Sequence, residues 1–183
     1  IDVFEGTLKF ISTDESYEHN NQLFVPIVTY KEMNNYSASG TDVIGQTVRT
    51  YTFNVDANIS NPKLYVITSN HGANANGEEY NRREHFIYFD NALVDTYIPG
   101  GKSCEPYRIY NTQGNGIYGS GPKSLSYWLS FNNWCPGDII PIRTYSLPNL
   151  GQGTHSFKIE VPSAVFANGE GYFPVSVYLQ GDL

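Results

Sequence analysis

Charge is scarce in this sequence. Asp, Glu, Lys and Arg make up only 16 % of it, against about a quarter in an ordinary globular chain. The basic residues are scattered, with no cluster beyond Arg82-Arg83, and the net charge is −7. Gripping a nucleic-acid backbone needs several convergent Lys and Arg, so the composition argues against nucleic acid as a partner. An anionic membrane surface is disfavoured for the same reason. A neutral ligand, such as a sugar or a peptide, meets no such opposition. No run approaches the roughly 18 apolar residues of a membrane-spanning helix. Cysteine is limited to Cys104 and Cys135, and methionine to Met33. That is a poor supply for a transition-metal site, which draws on three or four side chains. His71 and His85 belong to no H-x-H or H-E-x-x-H pattern. No D-x-[DN]-x-[DN]-G run marks a calcium loop. The G-x-G elements at Gly114, Gly119 and Gly151 lack the helix that a phosphate loop needs. The sequence calls for no metal and no cofactor.

Helical periodicity is also nearly absent, with at most one turn over "YKEMNNY" (Tyr30 to Tyr36). Period-two alternation takes its place. In "TYTFNV" it puts Tyr51, Phe53 and Val55 on one face, and in "HSFKIEV" it does the same for Phe157, Ile159 and Val161. "KLYVITS", "REHFIYFDN", "DIIPIRTYSL" and the closing "FPVSVYLQ" read as further strands. "LFVPIVTY" reads as another, with Pro26 marking an edge or a bulge. A 183-residue chain with 40 % hydrophobic and 15 % aromatic residues can bury a real core. About eight strands without crossover helices imply an all-β fold: an antiparallel two-sheet sandwich of jelly-roll type. An immunoglobulin sandwich would place its cysteines on core strands, and here both lie among Gly, Pro and Asn.

One stretch breaks the even spacing. From Thr96 to about Asn133 the chain passes through a succession of Gly, Pro and Asn turns, yet it carries Tyr97, Tyr107, Tyr110, Tyr118, Tyr127 and Trp128. A loop of this length in a compact domain is functional or disordered, and its aromatic content speaks against disorder. Cys104 and Cys135 bracket it. A disulfide there closes a loop of about thirty residues, worth roughly 3–4 kcal/mol in a chain-entropy treatment. The competing reading, a reactive thiol, needs a base beside Cys135, and the sequence points no histidine at it. The densest charged stretch is "NGEEYNRREHF". If its strand begins near Glu79, alternation puts Glu79, Asn81, Arg83 and His85 on one face. Such a face can bind a polar ligand, or it can be a solvated edge laced with ion pairs.

The elements "SNHGANANGEEYNRREHFIYFDN", Cys104 and "NWCPGDIIPIR" resemble the second, C-terminal jelly-roll domain of the peptide-N-glycosidase F family. Ser69, His71 and Gly72 match its first motif. Glu79, Tyr80, Arg83 and His85 match its second, and Cys104, Trp134, Cys135, Pro136 and Gly137 its third. The ordered match runs from about residue 24 to 180. The resemblance implies an amidase that cleaves N-glycans from asparagine, built as two adjacent jelly rolls with the site in the cleft between them. It implies catalytic work for Glu79, and substrate contacts for His71, Tyr80, Arg83, His85 and Trp134. It also implies a secreted, periplasmic or cell-surface setting of bacterial type. Three departures stand out. The family's arginine three residues before Trp-Cys-Pro-Gly is Phe131 here. The cysteines flanking the glutamate are Gly77 and Asn81. The catalytic aspartate belongs to the family's first domain, for which this chain has no room.

Residues 1–23, with "VFEGTLKFI" and a polar run after it, read as the remnant of a preceding domain's last strand and a linker. Residues 24–183 read as the jelly roll. On this reading the chain is the trimmed or processed second half of a larger protein. Its partners are then a glycoprotein or N-glycan substrate and a second jelly-roll domain of the same gene product. The alternative is a noncatalytic carbohydrate- or glycoprotein-binding module, with Tyr107, Tyr110, Tyr118, Trp128 and Trp134 as a stacking platform. A structural or adhesion domain on a cell surface is the third reading. Whether the chain is an enzyme is left open by the missing arginine and aspartate.

Overall fold

The computed structural model describes residues 8–12, 14, 21–73, 77–111 and 116–183. Among them are eight strands: β1 (Gln22–Met33), β2 (Val48–Val55), β3 (Ser60–Thr68), β4 (His85–Phe89), β5 (Ala92–Tyr97), β6 (Ile142–Ser146), β7 (Gly153–Glu160) and β8 (Phe173–Asp182). They form two antiparallel sheets, ordered β1-β8-β3-β6 and β2-β7-β4-β5. In each sheet, strands from the first half of the chain interleave with strands from the second. This is the double Greek key of a jelly roll, as the alternation predicts.

The core follows from that alternation. Leu64, Val66, Val175, Val177 and Leu179 point inward from the first sheet, and Val55, Ile87, Phe89, Phe157 and Ile159 from the second. Tyr51 and Phe53 join them from β2 as expected, partly buried. β1 is an edge strand, and its ladder with β8 slips between Pro26 and Val28. Pro26 is therefore tolerated on both counts foreseen, since an edge and a bulge each dispense with a ladder N–H. Among the described residues, no helix is long and apolar enough to cross a membrane.

Three expectations need correction. "YKEMNNY" forms no helix. Tyr30 to Met33 complete β1, and the Asn34 carboxamide oxygen then accepts from the backbone N–H groups of Tyr36 (3.1 Å) and Ser37 (2.9 Å). Asn so placed favours a turn over a helix. The strand expected from Asp138 begins only at Ile142. Before it, Gly137 adopts φ 90° in a turn closed by Asp138 N–H to Cys135 O. The long loop, read without helix, contains a 3₁₀ segment (Glu105–Tyr110) and a short α-helix, α1 (Leu125–Phe131), whose N-cap Ser124 accepts from Tyr127 N–H. The strand expected over residues 3–11 falls partly outside the described residues, and 8–12 have no regular structure.

The loop folds as a small second core. Cys104, Tyr118, Trp128 and Cys135 are buried together, flanked by Tyr107, Ile117 and Phe131. Glu105 is its polar hub. Its carboxylate accepts two hydrogen bonds from Arg108 (2.7 and 2.8 Å), one from Lys123 N–H (2.6 Å) and one from the Trp128 indole (3.2 Å). The Arg108 guanidinium, more than any other neighbour, holds the carboxyl down at about 2. Arg108 in turn donates to the carbonyls of Tyr118, Gly119 and Gly121.

Candidate functional site

The predicted site residues gather at the end of the sandwich where β3 finishes and β8 begins. Past Thr68 the β3–β8 register continues to a bridge between His71 and Tyr172. The chain then turns at Gly72, whose φ is 129° and where a Cβ would meet Gly171 Cα at 3.0 Å. Only glycine fits such a backbone approach without strain. The Glu79 turn docks here, with Glu79 N–H donating to Gly72 O (3.2 Å) and Gly72 N–H to the Glu79 carboxylate (3.3 Å).

Glu79 therefore does not lie on a strand face with Arg83 and His85. β4 begins at His85, and residues 78–80 form a turn. Asn133 is the reason. Its side-chain amide donates to the carbonyls of Glu78 (3.2 Å), Glu79 (2.7 Å) and Asn81 (3.0 Å). Carbonyls so occupied are removed from any ladder. Glu78 adds to this by turning inward. Fully buried, it takes a two-pronged hydrogen bond from Arg83 (2.9 Å each) and one from Val165 N–H (3.0 Å). Glu78 is also the main cause of the raised Arg83 pKa. Gly77 and Asn81, where the family resemblance leads one to look for cysteines, are joined by an Asn81 Nδ2 to Gly77 O hydrogen bond of 2.8 Å.

His71, Glu79, Tyr80 and Trp134 are thus brought together. The His71 ring stacks on Tyr172 (5.3 Å between centroids), and its Nε2 shares a hydrogen bond with Ser69 Oγ (3.0 Å). The Trp134 indole donates to the carbonyl of Asn70, beside His71 (3.3 Å). Tyr80 is exposed, and burial and the Glu79 carboxylate push its hydroxyl pKa up. Phe131, at the arginine position, closes α1 and lies 6.0 Å from the Tyr80 ring and 5.2 Å from Tyr127. The disulfide between Cys104 and Cys135 is formed. It anchors the segment from which Asn133 and Trp134 reach the Glu79 turn.

Arg83 and His85 belong to the same end, but their side chains are spent on its interior. Arg83 is committed to Glu78. His85 is fully buried, facing the core between Tyr97 (4.9 Å) and Phe173 (5.4 Å), with Nδ1 on the Arg83 carbonyl (2.9 Å). Two of the expected platform rings are likewise interior, Trp128 fully and Tyr118 nearly so. They fill the loop's own core, and the rings left exposed in this region are Tyr80, Tyr110 and Tyr127. Sequence reasoning missed Asn133 and Glu78. Asn133 directly precedes the Trp-Cys pair, but nothing in that spacing reveals that it clamps a turn more than fifty residues upstream. A cleft of about 500 Å³, lined by Phe89, Leu93, Leu147 and Leu150, opens at the opposite end and touches none of these residues.

Burial lowers the His85 pKa to about 4. The unfolded chain then binds the extra proton at pH values below about 6.5, and the folded chain only near 4. Stability is therefore lost as pH falls between those values, by about 3 kcal/mol in all. Urea titrations at pH 7 and pH 4.5 check this, and His85→Phe is expected to flatten the difference. An unchanged pH slope in that variant would assign the acid sensitivity to other groups.

Residues 39–180 match the family described as peptide-N-glycosidase F, C terminal. The chain belongs to that family. PNGF-II is similar at 26 % identity and a TM-score of 0.67, over 93 % of this chain and 31 % of that one. A peptide-N(4)-(N-acetyl-β-D-glucosaminyl)asparagine amidase shares the fold at 20 % identity and a TM-score of 0.62, over 88 % of this chain and 52 % of that one. PNGase F of Flavobacterium meningosepticum, described as a glycosylasparaginase, does so at 20 % identity and a TM-score of 0.57, over 88 % of this chain and 51 % of that one. No curated protein sequence matches. The chain spans between about a third and a half of the length of these solved relatives.

Proposed function

We propose that this domain is the substrate-holding half of a glycan-directed asparagine amidase, acting at the bond between Asn and the first N-acetylglucosamine of N-glycoproteins. A second jelly-roll domain of the same protein supplies the acid or base that amide hydrolysis requires. The observation that carries this reading is the division of labour between adjacent glutamates. Glu78 is buried and spent on Arg83, while Glu79 is half-buried on a clamped turn, with its carboxylate accepting from Gly72 N–H and adjoining the Tyr80 hydroxyl. A carboxylate so presented keeps acceptor capacity for an amide or sugar hydroxyl. Disulfide bracing fits an oxidising, extracytoplasmic setting.

The test is a mobility-shift assay on a denatured N-glycoprotein, with the chain alone and joined to an upstream domain. Deglycosylation is expected only in the joined form, and Glu79→Ala should lower it by about 10²- to 10⁴-fold. Full activity in that variant would overturn the reading. A noncatalytic glycan-binding role is favoured by one feature, the aromatic strip of Tyr80, Phe131 and Tyr127 in place of the arginine. That reading expects glycan binding by the chain and no deglycosylation in either form.

A further inference from the structure

We infer that a second sugar-binding subsite adjoins the Glu79 turn, built from Tyr30, Glu32, Tyr36 and Tyr172, and that it takes the neutral sugars beyond the first ones of the glycan. The inference rests on the glycan-directed reading above.

Three adjacent segments bring these side chains together: the end of β1 with the turn after it, the residues leading into β8 and those following β3. Tyr30 and Glu32 occupy alternate positions near the end of β1, and Glu32 pairs across the ladder with Pro174. Tyr172, two residues before Pro174, shares its side of the sheet and pairs with His71 on the next strand. Two strand spacings make the row about 10 Å wide, a length suited to more than one sugar ring. Tyr36 enters from the turn after β1 and donates its hydroxyl to the Gly171 carbonyl (2.9 Å). Gly171 packs directly on Gly72, which holds Glu79. The row Tyr36, Tyr172, His71, Glu79 is therefore continuous.

Its chemistry suits a neutral polyol. Tyr30 and Tyr36 are 52 % and 41 % exposed and offer ring surface to the C–H side of a sugar, beside the partly buried Tyr172 ring, which stacks on His71. The Tyr30 hydroxyl donates to the Glu32 carboxylate (3.0 Å), and that bond, with the Tyr172 hydroxyl adding to it, pushes its pKa up to about 12. Hydroxyls and a carboxylate with spare lone pairs thus converge beside the rings. Glu32 and Glu170 both raise the Tyr36 hydroxyl pKa after its burial does, and their charges disfavour phosphorylated or acidic sugars. Hydrogen bonds hold the Tyr30 and Tyr36 rings in place, so little side-chain freedom is left to lose on binding. A merely solvated strand end would need none of this convergence.

The test titrates two ligands into the chain by NMR: N,N′-diacetylchitobiose, and a neutral high-mannose glycan carrying the same chitobiose. The longer glycan is expected to bind about fivefold to tenfold tighter, the range of one or two ring contacts. Tyr30→Ala and Glu32→Gln, both at the surface, should erase that gain and leave chitobiose binding unchanged. Glu79→Gln should weaken both ligands, and Lys63→Ala, exposed toward the far end of β3, neither. Equal affinities for the two glycans in the wild type, or a gain that survives Tyr30→Ala, overturn the subsite. Chitobiose binding indifferent to Glu79→Gln, with a Tyr30-dependent gain still present, supports the subsite and sinks the assigned role of Glu79.

Discussion

Glu78→Ala is expected to destabilise the domain by about 3 kcal/mol or more, and Glu79→Ala by about 1 kcal/mol or less. The two residues are adjacent and chemically identical, so the difference lies in their surroundings. Glu78 is fully buried and accepts from both prongs of Arg83 and from Val165 N–H. Removing it strands a guanidinium and a backbone donor with little water to replace their partner. The Arg83 side chain keeps 24 % of its exposure, which places the loss toward the lower end of the 3–5 kcal/mol typical of a broken buried pair. Glu79 loses one 3.3 Å hydrogen bond from a half-buried position. Urea unfolding of both variants at pH 7 measures the difference, and a double-mutant cycle with Arg83→Met isolates the pair. Two variants within about 0.5 kcal/mol of one another would show that the carboxylates do not divide support from presentation. The contrast bears on function as well. If Glu78→Ala alone abolished activity, lost fold would explain it, whereas activity lost in a stable Glu79→Ala protein would not.

How much of this was readable in the sequence depends on the range of the interaction. Alternation is local, so β2, β7 and β8 and their inward residues stand out at once; about eight such segments imply a two-sheet sandwich, and the cysteines, lying among Gly, Pro and Asn, favour a jelly roll over an immunoglobulin fold. Pro26 announced an edge because a missing N–H has the same consequence in any fold. Local rules fail where a distant side chain decides. The Glu79-to-His85 alternation is a sound strand signal, yet Asn133 takes three of the carbonyls near Glu79 and makes a turn of it. Phe131 and Trp128 carry no strong helix signal, and α1 is seven residues long, too short for periodicity to register. Trp128 looked like a ligand platform because its type suits one. Its burial against Tyr118 and the disulfide is a property of the folded loop, which neighbours in sequence do not specify. The resemblance located Glu79 and the missing arginine. The structure adds that the Phe131 ring lies against Tyr80, a neighbour that its place in the sequence does not reveal.

Replacing both cysteines by alanine should lower stability by about 3–4 kcal/mol, the chain-entropy value for a bridge whose cysteines are 31 residues apart. A reducing agent should act similarly on the wild type. The more telling consequence is at a distance. The bridge fixes Cys135, two residues after Asn133, whose amide clamps the Glu79 turn, and one residue after Trp134, whose indole holds Asn70. Loosening it should therefore speed hydrogen exchange at the Glu79 amide, which donates to Gly72 O, by more than the global loss of stability accounts for. Amides in the β3–β8 ladder should follow the global loss alone. Asn133→Ala separates the two effects. It leaves the disulfide intact and deprives three carbonyls of their donor, with an expected cost of about 1–3 kcal/mol and the same local exchange at Glu79. If the cysteine variant loses stability while Glu79 exchange merely tracks the ladder, the bridge is a staple for the aromatic loop and nothing more. If Glu79 exchange rises in both variants, the cysteines act on the candidate site through Asn133, and a residue pair with no chemistry of its own sets the geometry of the Glu79 turn.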